Sequence, residues 1–477
     1  MKRTLTVLAV AALVGGLATT PVTQAAAAQP STGTIDAYLA EAWESTGVPG
    51  FSAVVTHHDR VVHAAGYGHD AEGNPVTEHT PMRVASLSKS FTATAVLTLV
   101  DDGRVKLDEP VATYLPEFRM ADDRAGRITV RQLLNQTSGL SDTGVDITSA
   151  EEATSLREYV AALSDGTLAA DPGTRWEYCN VNYELAARVV EVAGGQPFGD
   201  YLREHVFTPL GMSGSAVDVA DVVPAEGHIS LFGLWWARQE PEQFLDNGGA
   251  GGVITTADDL GRWLVSQNGH GPSILTPGSL AESHRPVTDA AYPMGWGTQR
   301  IGDDDLLVHS GNLFTYTAVQ AVDPETGWGF AVLVNGAGLY DDAYEVLAGL
   351  VELSRGANPE IPGGDRQVVE LVLGLLALAA VVLGVLGVLR ARRWAAARSA
   401  GNRWWLGARL VGVSVPLVVF AAYPDLASVL MNGRTVTWDQ LMYSALPLTV
   451  LLGLGGVASA ATLVARAAAL RSVGSVR

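Results

Sequence analysis

Three apolar runs near the C-terminus limit what this 477-residue chain can become. "LVLGLLALAAVVLGVLGVL" (371–389), "WWLGARLVGVSVPLVVFAAY" (404–423) and "LMYSALPLTVLLGLGGVASAATLV" (441–464) each have about the length of a bilayer-crossing helix. Burial in a soluble core is the weaker reading, because so little polar sequence separates them. Arg390, Arg392, Arg393, Arg398 and Arg403 fill the first connection and Arg466, Arg471 and Arg477 the tail, whereas the second connection holds Asp425, Arg434 and Asp439. Basic residues stay on the cytoplasmic side. The first connection and the C-terminus are therefore expected inside, and everything before residue 371 outside. Residues 1–28 agree: Lys2 and Arg3, the short apolar run "TLTVLAVAALVGGLA" and the small-residue stretch "QAAAAQ" follow the order of a cleavable secretory signal.

Charge divides the chain at the same place. The net charge of −19 conceals +8 from residue 366 onward and +2 in the N-terminal segment, so residues 29–365 carry −29. Nucleic acid is thereby a poor partner, and the partners expected are the membrane and a small-molecule or cell-wall peptide substrate. The single cysteine, Cys179, allows no intrachain disulfide, so the exported part must be held by its core.

Within that part, residues 34–46 read as an amphipathic helix and "FSAVVTHHDRVVHAAGYG" (51–68) as a hairpin about a His-Asp turn. Helical patterns start at Phe91 and recur through "ITVRQLLNQTS", "SLREYVAALSDG" and "VNYELAARVVEVAGG". Strand-like runs return after residue 285 ("GWGTQRI", "LLVHSGN", "TYTAVQAVD", "GWGFAVLVNG") before a closing helix, "YDDAYEVLAGLVELSR". Strands at both ends with helices between imply an α+β domain over 29–355: an antiparallel sheet flanked by helices, with an inserted all-helical lobe. A Pro/Gly linker (356–370) leads to a membrane region, 371–477, with the three spans. His57, His58, His63, His69 and His79 follow no metal-ligand spacing, and "GDDD" (302–305) reads as a solvated turn. No metal or cofactor is expected.

The chain has only three lysines, Lys2, Lys89 and Lys106, against 28 arginines. Arginine keeps its proton, whereas a crowded or buried lysine can lose it and act as a base. Lys89 follows Ser86 in "RVASLSKSF", just before a helical run. If Ser86 opens that helix, the amine lies beside the hydroxyl, as a Ser-Lys nucleophile requires. A capping serine and a solvated lysine produce the same pattern by themselves. Two downstream motifs add weight: "DPGTRWEYCNVNY", with Tyr178 and Asn180 two apart after a turn, and "LLVHSGN", in which a strand-like run ends on His309-Ser310-Gly311.

With these motifs, and with "LLNQTSGL" (133–140), "NGGAGGVITTADDL" (247–260), "YPMGWG" (292–297) and "VDPETGWGFAVLVN" (322–335), residues 32–355 resemble the serine beta-lactamase-like and penicillin-binding hydrolases. The similarity is to the branch of class C beta-lactamases, D-aminopeptidases and family VIII esterases. It implies Ser86 as the acylated nucleophile, Lys89 as its proton acceptor or electrostatic partner, and Tyr178 as a phenol relaying the proton. It also implies Asn180 as a donor toward Lys89 or the substrate amide, and an oxyanion hole of the Ser86 and Asn312 amides beside Gly311. Cys179 reads as packing.

One departure bears on substrate. His309-Ser310-Gly311 stands where the family usually carries Lys-Thr-Gly, and a mostly neutral histidine, charging only below about pH 6.5, holds a carboxylate less well than lysine. Esters or amides, D-amino-acid peptides among them, are expected to turn over faster than beta-lactams. Two readings remain: a membrane-tethered serine hydrolase, or a penicillin-binding sensor or scaffold that acylates and stalls. On the topology, a reporter fused after Arg477 is expected to read cytoplasmic, and protease added to spheroplasts should release a fragment ending near residue 365. A C-terminus that reads external means that one span has been miscounted.

Overall fold

A computed structural model describes residues 30–239, 248–287, 292–302, 304–398, 403–431 and 433–474. The expected signal segment, Asn247 and Asp303 lie outside the described residues. The chain opens with α1 (Thr32–Thr46), whose first turn is capped by the Ser31 hydroxyl accepting from the Thr34 amide at 3.1 Å and which ends at Gly47 in the left-handed region. The hairpin β1 (Gly50–His57) and β2 (Arg60–Gly68) follows. The later strands β3 (Gly297–Ile301), β4 (Asp304–Leu313), β5 (Tyr316–Asp323) and β6 (Trp328–Val334) complete one antiparallel sheet in the order β2-β1-β6-β5-β4-β3. N-terminal β1 pairs with C-terminal β6 from Phe51 opposite Val334 to His57 opposite Trp328, so the two ends of the domain are joined at the sheet centre.

Strand alternation here sorts residues between two cores rather than between core and water. Val54, Ala318, Val322, Ala331 and Leu333 face the helical lobe. Phe51, Ala53, Val55, Val319, Ala321, Phe330 and Val332 face α1 and the closing helix α5 (Asp342–Ser354). On the lobe side lie α2 (Ser88–Asp101), α3 (Val181–Gly194) and α4 (Ala257–Gln267). Most of α2 is buried, and its small residues (Ser88, Ser90, Thr92, Ala93, Thr94, Ala95) let neighbours close on it from several sides. Phe91 stacks on Trp263 at 3.9 Å, and a hydrogen-bond chain from Trp263 Nε1 to Gln320 Oε1 and from Gln320 Nε2 to Ser90 Oγ ties α4, β5 and α2 together.

Two short sets of strands lie outside the main sheet. A hairpin at His228–Leu231 and Leu234–Ala237 pairs with Gly336–Ala337, and Met82–Arg83 pairs with Ile254–Thr255. These short pairings have too few residues to leave a periodic signal.

Among the described residues, three C-terminal helices are long and apolar enough to cross a bilayer: α6 (Asp365–Leu389), α7 (Arg403–Ala421) and α9 (Leu446–Gly474). The third apolar run is divided, with a short α8 (Trp438–Ser444) ahead of α9 and Pro447 near the start of the long helix. The first helix begins at Asp365, inside the stretch read as linker, because Arg366 and Glu370 lower its hydropathy. Those two charges are buried. Arg366 donates to Asp342 Oδ2 at 3.0 Å and to the Thr46 carbonyl at 2.6 Å, and Glu370 accepts from the Gly233 amide at 2.6 Å. The start of α6 is thus fastened to α1, α5 and the 228–237 hairpin. Removing one partner of a buried ion pair costs about 3–5 kcal/mol, so Arg366→Ala should lower the thermal midpoint of the detergent-solubilised chain by several degrees. A melting curve that superimposes on wild type refutes this anchoring role.

Candidate active site

Ser86 lies in a single 3-10 turn, Ala85–Leu87, that leads into α2. Ala85 is held at φ +48°, a left-handed conformation that costs a non-glycine residue about 1–3 kcal/mol. The turn leaves Ser86 partly exposed while Ala85 and Leu87 are buried. One turn on, Lys89 is fully buried, its Nζ donating to Ser86 Oγ at 3.0 Å and to the Ala250 carbonyl at 2.7 Å. Tyr178 Oη donates to the same Ser86 Oγ at 2.9 Å, and Lys89 Nζ stands 4.9 Å from the Tyr178 ring centre. Burial is the largest influence on the Lys89 pKa and lowers it; Tyr178 opposes this, Arg434 adds to the depression and Glu184 opposes it. A lowered pKa makes the neutral amine, the form able to take a proton from Ser86, more accessible.

The sequence reading missed the groups that hold Lys89. Glu184, buried in α3, accepts from the Gly249 amide at 2.9 Å and the Ala250 amide at 3.0 Å, aiming the Ala250 carbonyl at Lys89. Burial raises the Glu184 pKa to about 8, with Glu151 adding to the rise and the two amides opposing it. A β-carbon on Gly248 would come 2.1 Å from Glu184 Oε2, which explains the glycine in "NGGAGG" as room for a carboxyl. In "YPMGWG", a β-carbon on Gly295 would strike the Lys89 carbonyl at 2.7 Å. Both motifs were visible in the sequence, but not what presses on them.

Gln136, from "LLNQTSGL", positions Tyr178. Its side-chain oxygen accepts from the Cys179 amide at 3.0 Å and Asn182 Nδ2 at 2.6 Å, and its carbonyl accepts from the Glu177 amide at 2.9 Å. Cys179 is fully buried, and desolvation raises its pKa well above the ordinary thiol range, which suits packing. Asn180 begins α3. It makes no hydrogen bond to Lys89 among the described residues, and its side-chain oxygen is buried without a partner.

Strand β4 lines the other side. His309 and Gly311 are buried while Ser310 and Asn312 are exposed. A β-carbon on Gly311 would lie 2.3 Å from the Val84 carbonyl and 3.0 Å from the Ser86 amide nitrogen, so glycine lets β4 close onto the Ser86 turn with Asn312 next in the strand. His309 Nε2 pairs with the Tyr292 hydroxyl at 3.0 Å and Nδ1 with the Ser310 carbonyl at 2.7 Å. Burial, aided by Lys89, lowers its pKa to about 3. The expected charging near pH 6.5 therefore does not occur in the folded protein. Tyr292 had no assigned role in the sequence reading beyond its motif.

The remaining charge comes from the far end of the chain. Arg434, between α7 and α8, places its guanidinium carbon 5.1 Å from the Tyr178 ring centre and its Nε 3.4 Å from Asp142 Oδ2. No motif near residue 434 signals this; only the charge pattern of the spans puts that connection on the same side as the domain.

Residues 35–351 match the family model described as Beta-lactamase. The chain is 27% identical over 320 residues to Protein flp of Staphylococcus aureus (strain MW2), a match covering 63% of this chain and 62% of that protein, so it spans less than two-thirds of that relative's length. It is 31% identical over 346 residues to Penicillin-binding protein 4 of Amycolatopsis lactamdurans, covering 66% of this chain and 88% of that protein. Among solved structures, D-amino acid amidase from Ochrobactrum anthropi SV3 complexed with D-phenylalanine is similar at 27% identity and a TM-score of 0.53, covering 65% of this chain and 93% of its own. The octameric penicillin-binding protein homologue from Pyrococcus abyssi shares the fold at 24% identity and a TM-score of 0.59, covering 72% and 81%.

The buried His309 has a consequence for stability. Above about pH 6.5 neither folded nor unfolded chain protonates it; below that, the unfolded chain takes the proton while the folded one resists until about pH 3. Stability is therefore lost as pH falls, at up to about 1.4 kcal/mol per unit. Between pH 6 and 4.5, wild type should lose about 2 kcal/mol more than His309→Asn in parallel denaturation series. Parallel pH dependences for the two proteins contradict the buried neutral state.

Proposed function

The chain belongs to the beta-lactamase family of serine hydrolases, and we propose that it is a membrane-tethered extracytoplasmic member that cleaves ester or amide substrates, D-amino-acid peptides among them, through an acyl-enzyme on Ser86. The observation that carries this reading is the convergence of Lys89 Nζ and Tyr178 Oη on one partly exposed serine oxygen, with the lysine wholly buried. The similarity to a D-amino acid amidase and to a penicillin-binding protein supports the substrate class. Three apolar helices and the arginine asymmetry of their connections support the tether.

In the proposed sequence, neutral Lys89 takes the Ser86 proton as Oγ bonds to the substrate carbonyl carbon. The resulting oxyanion is held by the Ser86 and Asn312 amides. As the carbonyl re-forms, the leaving alkoxide or amine takes a proton from Tyr178, which is replenished from Lys89. Water then attacks the acyl-enzyme, giving one proton back through Tyr178 and Lys89 to Ser86 and releasing the acid. Lysine rather than arginine stands at residue 89 because the amine must lose its proton once per cycle.

One observation favours the sensor reading: Tyr443 and Leu446 from the membrane region pack in one cluster with Ala85, Leu313 and Phe314, beside the Ser86 turn. Turnover separates the two, since a sensor releases one equivalent of product and stops. Ser86→Ala should abolish labelling by a fluorophosphonate. Lys89→Arg should lower kcat/KM by about 10²–10⁴-fold, nearly as far as Lys89→Ala. Labelling that survives in Ser86→Ala would falsify the nucleophile, and a Lys89→Arg enzyme near wild-type rate would reduce Lys89 to a fixed charge.

A further inference from the structure

The membrane region reaches the Ser86 site with a cation. Arg434 Nε and the Thr435 amide both approach Asp142 Oδ2, at 3.4 Å and 3.1 Å, and Asp142 is buried just after the "LLNQTSGL" motif. The following helix holds the connection down. Tyr443 Oη donates to the Gln239 carbonyl at 2.7 Å, its ring meets Phe314 at 5.2 Å, and Arg238 lies over the same ring at 3.7 Å while donating to the Met442 carbonyl at 2.9 Å.

We propose that Arg434 is a substrate-binding residue that holds a carboxylate on the leaving-group side of the scissile bond, so that the membrane region completes the specificity site of the outer domain. The inference rests on the reading of Ser86 and Tyr178 given above. Tyr178 is the proton donor to the leaving group, and a guanidinium against its ring stands beside that group. Asp142 engages only Nε, and no other side-chain hydrogen bond to Arg434 is made among the described residues, so the paired Nη donors remain for a ligand. That fork matches a carboxylate bidentately. Among the described residues at the site, His309 is kept neutral by burial and Lys89 is committed to Ser86 and Ala250. The domain's charge of −29 repels anions, which makes one cation drawn from the arginine-rich C-terminal region the more telling. The fixed charge that the His309 replacement takes away is in this way resupplied from a different part of the chain.

A role confined to pinning the connection on Asp142 predicts something else, a loss shared by all substrates. The test uses the full chain in detergent micelles and two esters that differ in one group, phenylacetyl-glycolate with a free carboxylate and phenylacetyl-glycolamide without. Arg434→Gln removes a charge that also depresses the Lys89 pKa, so both rates will change; the ratio of their kcat/KM values cancels that shared part. The ratio of carboxylate to carboxamide should fall by about 10- to 100-fold, chiefly through KM, and Arg434→Lys should restore part of it. An unchanged ratio overturns the proposal, whatever happens to the absolute rates. Calorimetric titration of Ser86→Ala with the same two compounds reads binding without turnover: the carboxylate should bind more tightly, and Ser86→Ala/Arg434→Gln should lose the difference. If wild type cleaves neither ester, the hydrolase reading fails, yet this titration still decides Arg434, because equal affinities for the two compounds overturn its role. Melting curves of each variant separate loss of the contact from loss of the fold.

Discussion

Burying an amine is expensive, and most of the site is organised around that cost at Lys89. An ammonium taken out of water without partners is disfavoured by several kcal/mol, and the protein answers with the Ala250 carbonyl, the Ser86 hydroxyl and the faces of Tyr178 and Tyr183. Each of these partners needs its own support. Glu184 fixes Ala250 by gripping two consecutive amides, and that grip leaves space only for glycine at residue 248. Gln136 fixes the loop carrying Tyr178, and Ala85 accepts a left-handed backbone so that Ser86 meets both groups. The incomplete compensation is useful: it leaves the amine easier to deprotonate than an ordinary lysine.

The same logic governs how the C-terminal helices join the domain. Arg366 and Glu370 are buried at the start of α6, where they meet Asp342, Ser230 and backbone from Thr46 and Gly233. A buried ion network often contributes no more to net stability than apolar packing of the same volume, but removing one member leaves an uncompensated buried charge. A second attachment forms at α8 through Tyr443, and between the two the connection bearing Arg434 is brought against Asp142. The C-terminal helices therefore meet the domain beside the Ser86 turn as well as at its last helix.

Much of this was legible beforehand, for identifiable reasons. The hairpin, the four later strands and the main helices announced themselves because their apolar spacing has the period of a strand or helix and their ends carry turn or cap residues. Ser86, Lys89, Tyr178, His309 and Gly311 stood out as chemistry-bearing residues in recognisable local strings. Glu184 did not, since "VNYELAARVV" reads as an ordinary amphipathic helix with its acid toward water, whereas tertiary packing turns that acid inward to two amides. The linker was read six residues too long because Arg366 and Glu370 look solvated until their partners, remote in sequence, are seen.

Sequence alone determined the order of elements, a sheet made from both ends of the domain, the apolar C-terminal helices and the strings that offer Ser86, Lys89 and Tyr178 as candidates. Those are properties of periodicity, composition and local spacing, which act over a few residues. The pKa of Lys89, the neutrality of His309 and the arrival of Arg434 at Tyr178 were decided only by the tertiary structure. Each depends on how much water is excluded and which charges are brought within a few ångströms. Those distances are set by the packing of segments hundreds of residues apart, and no local string of residues encodes them.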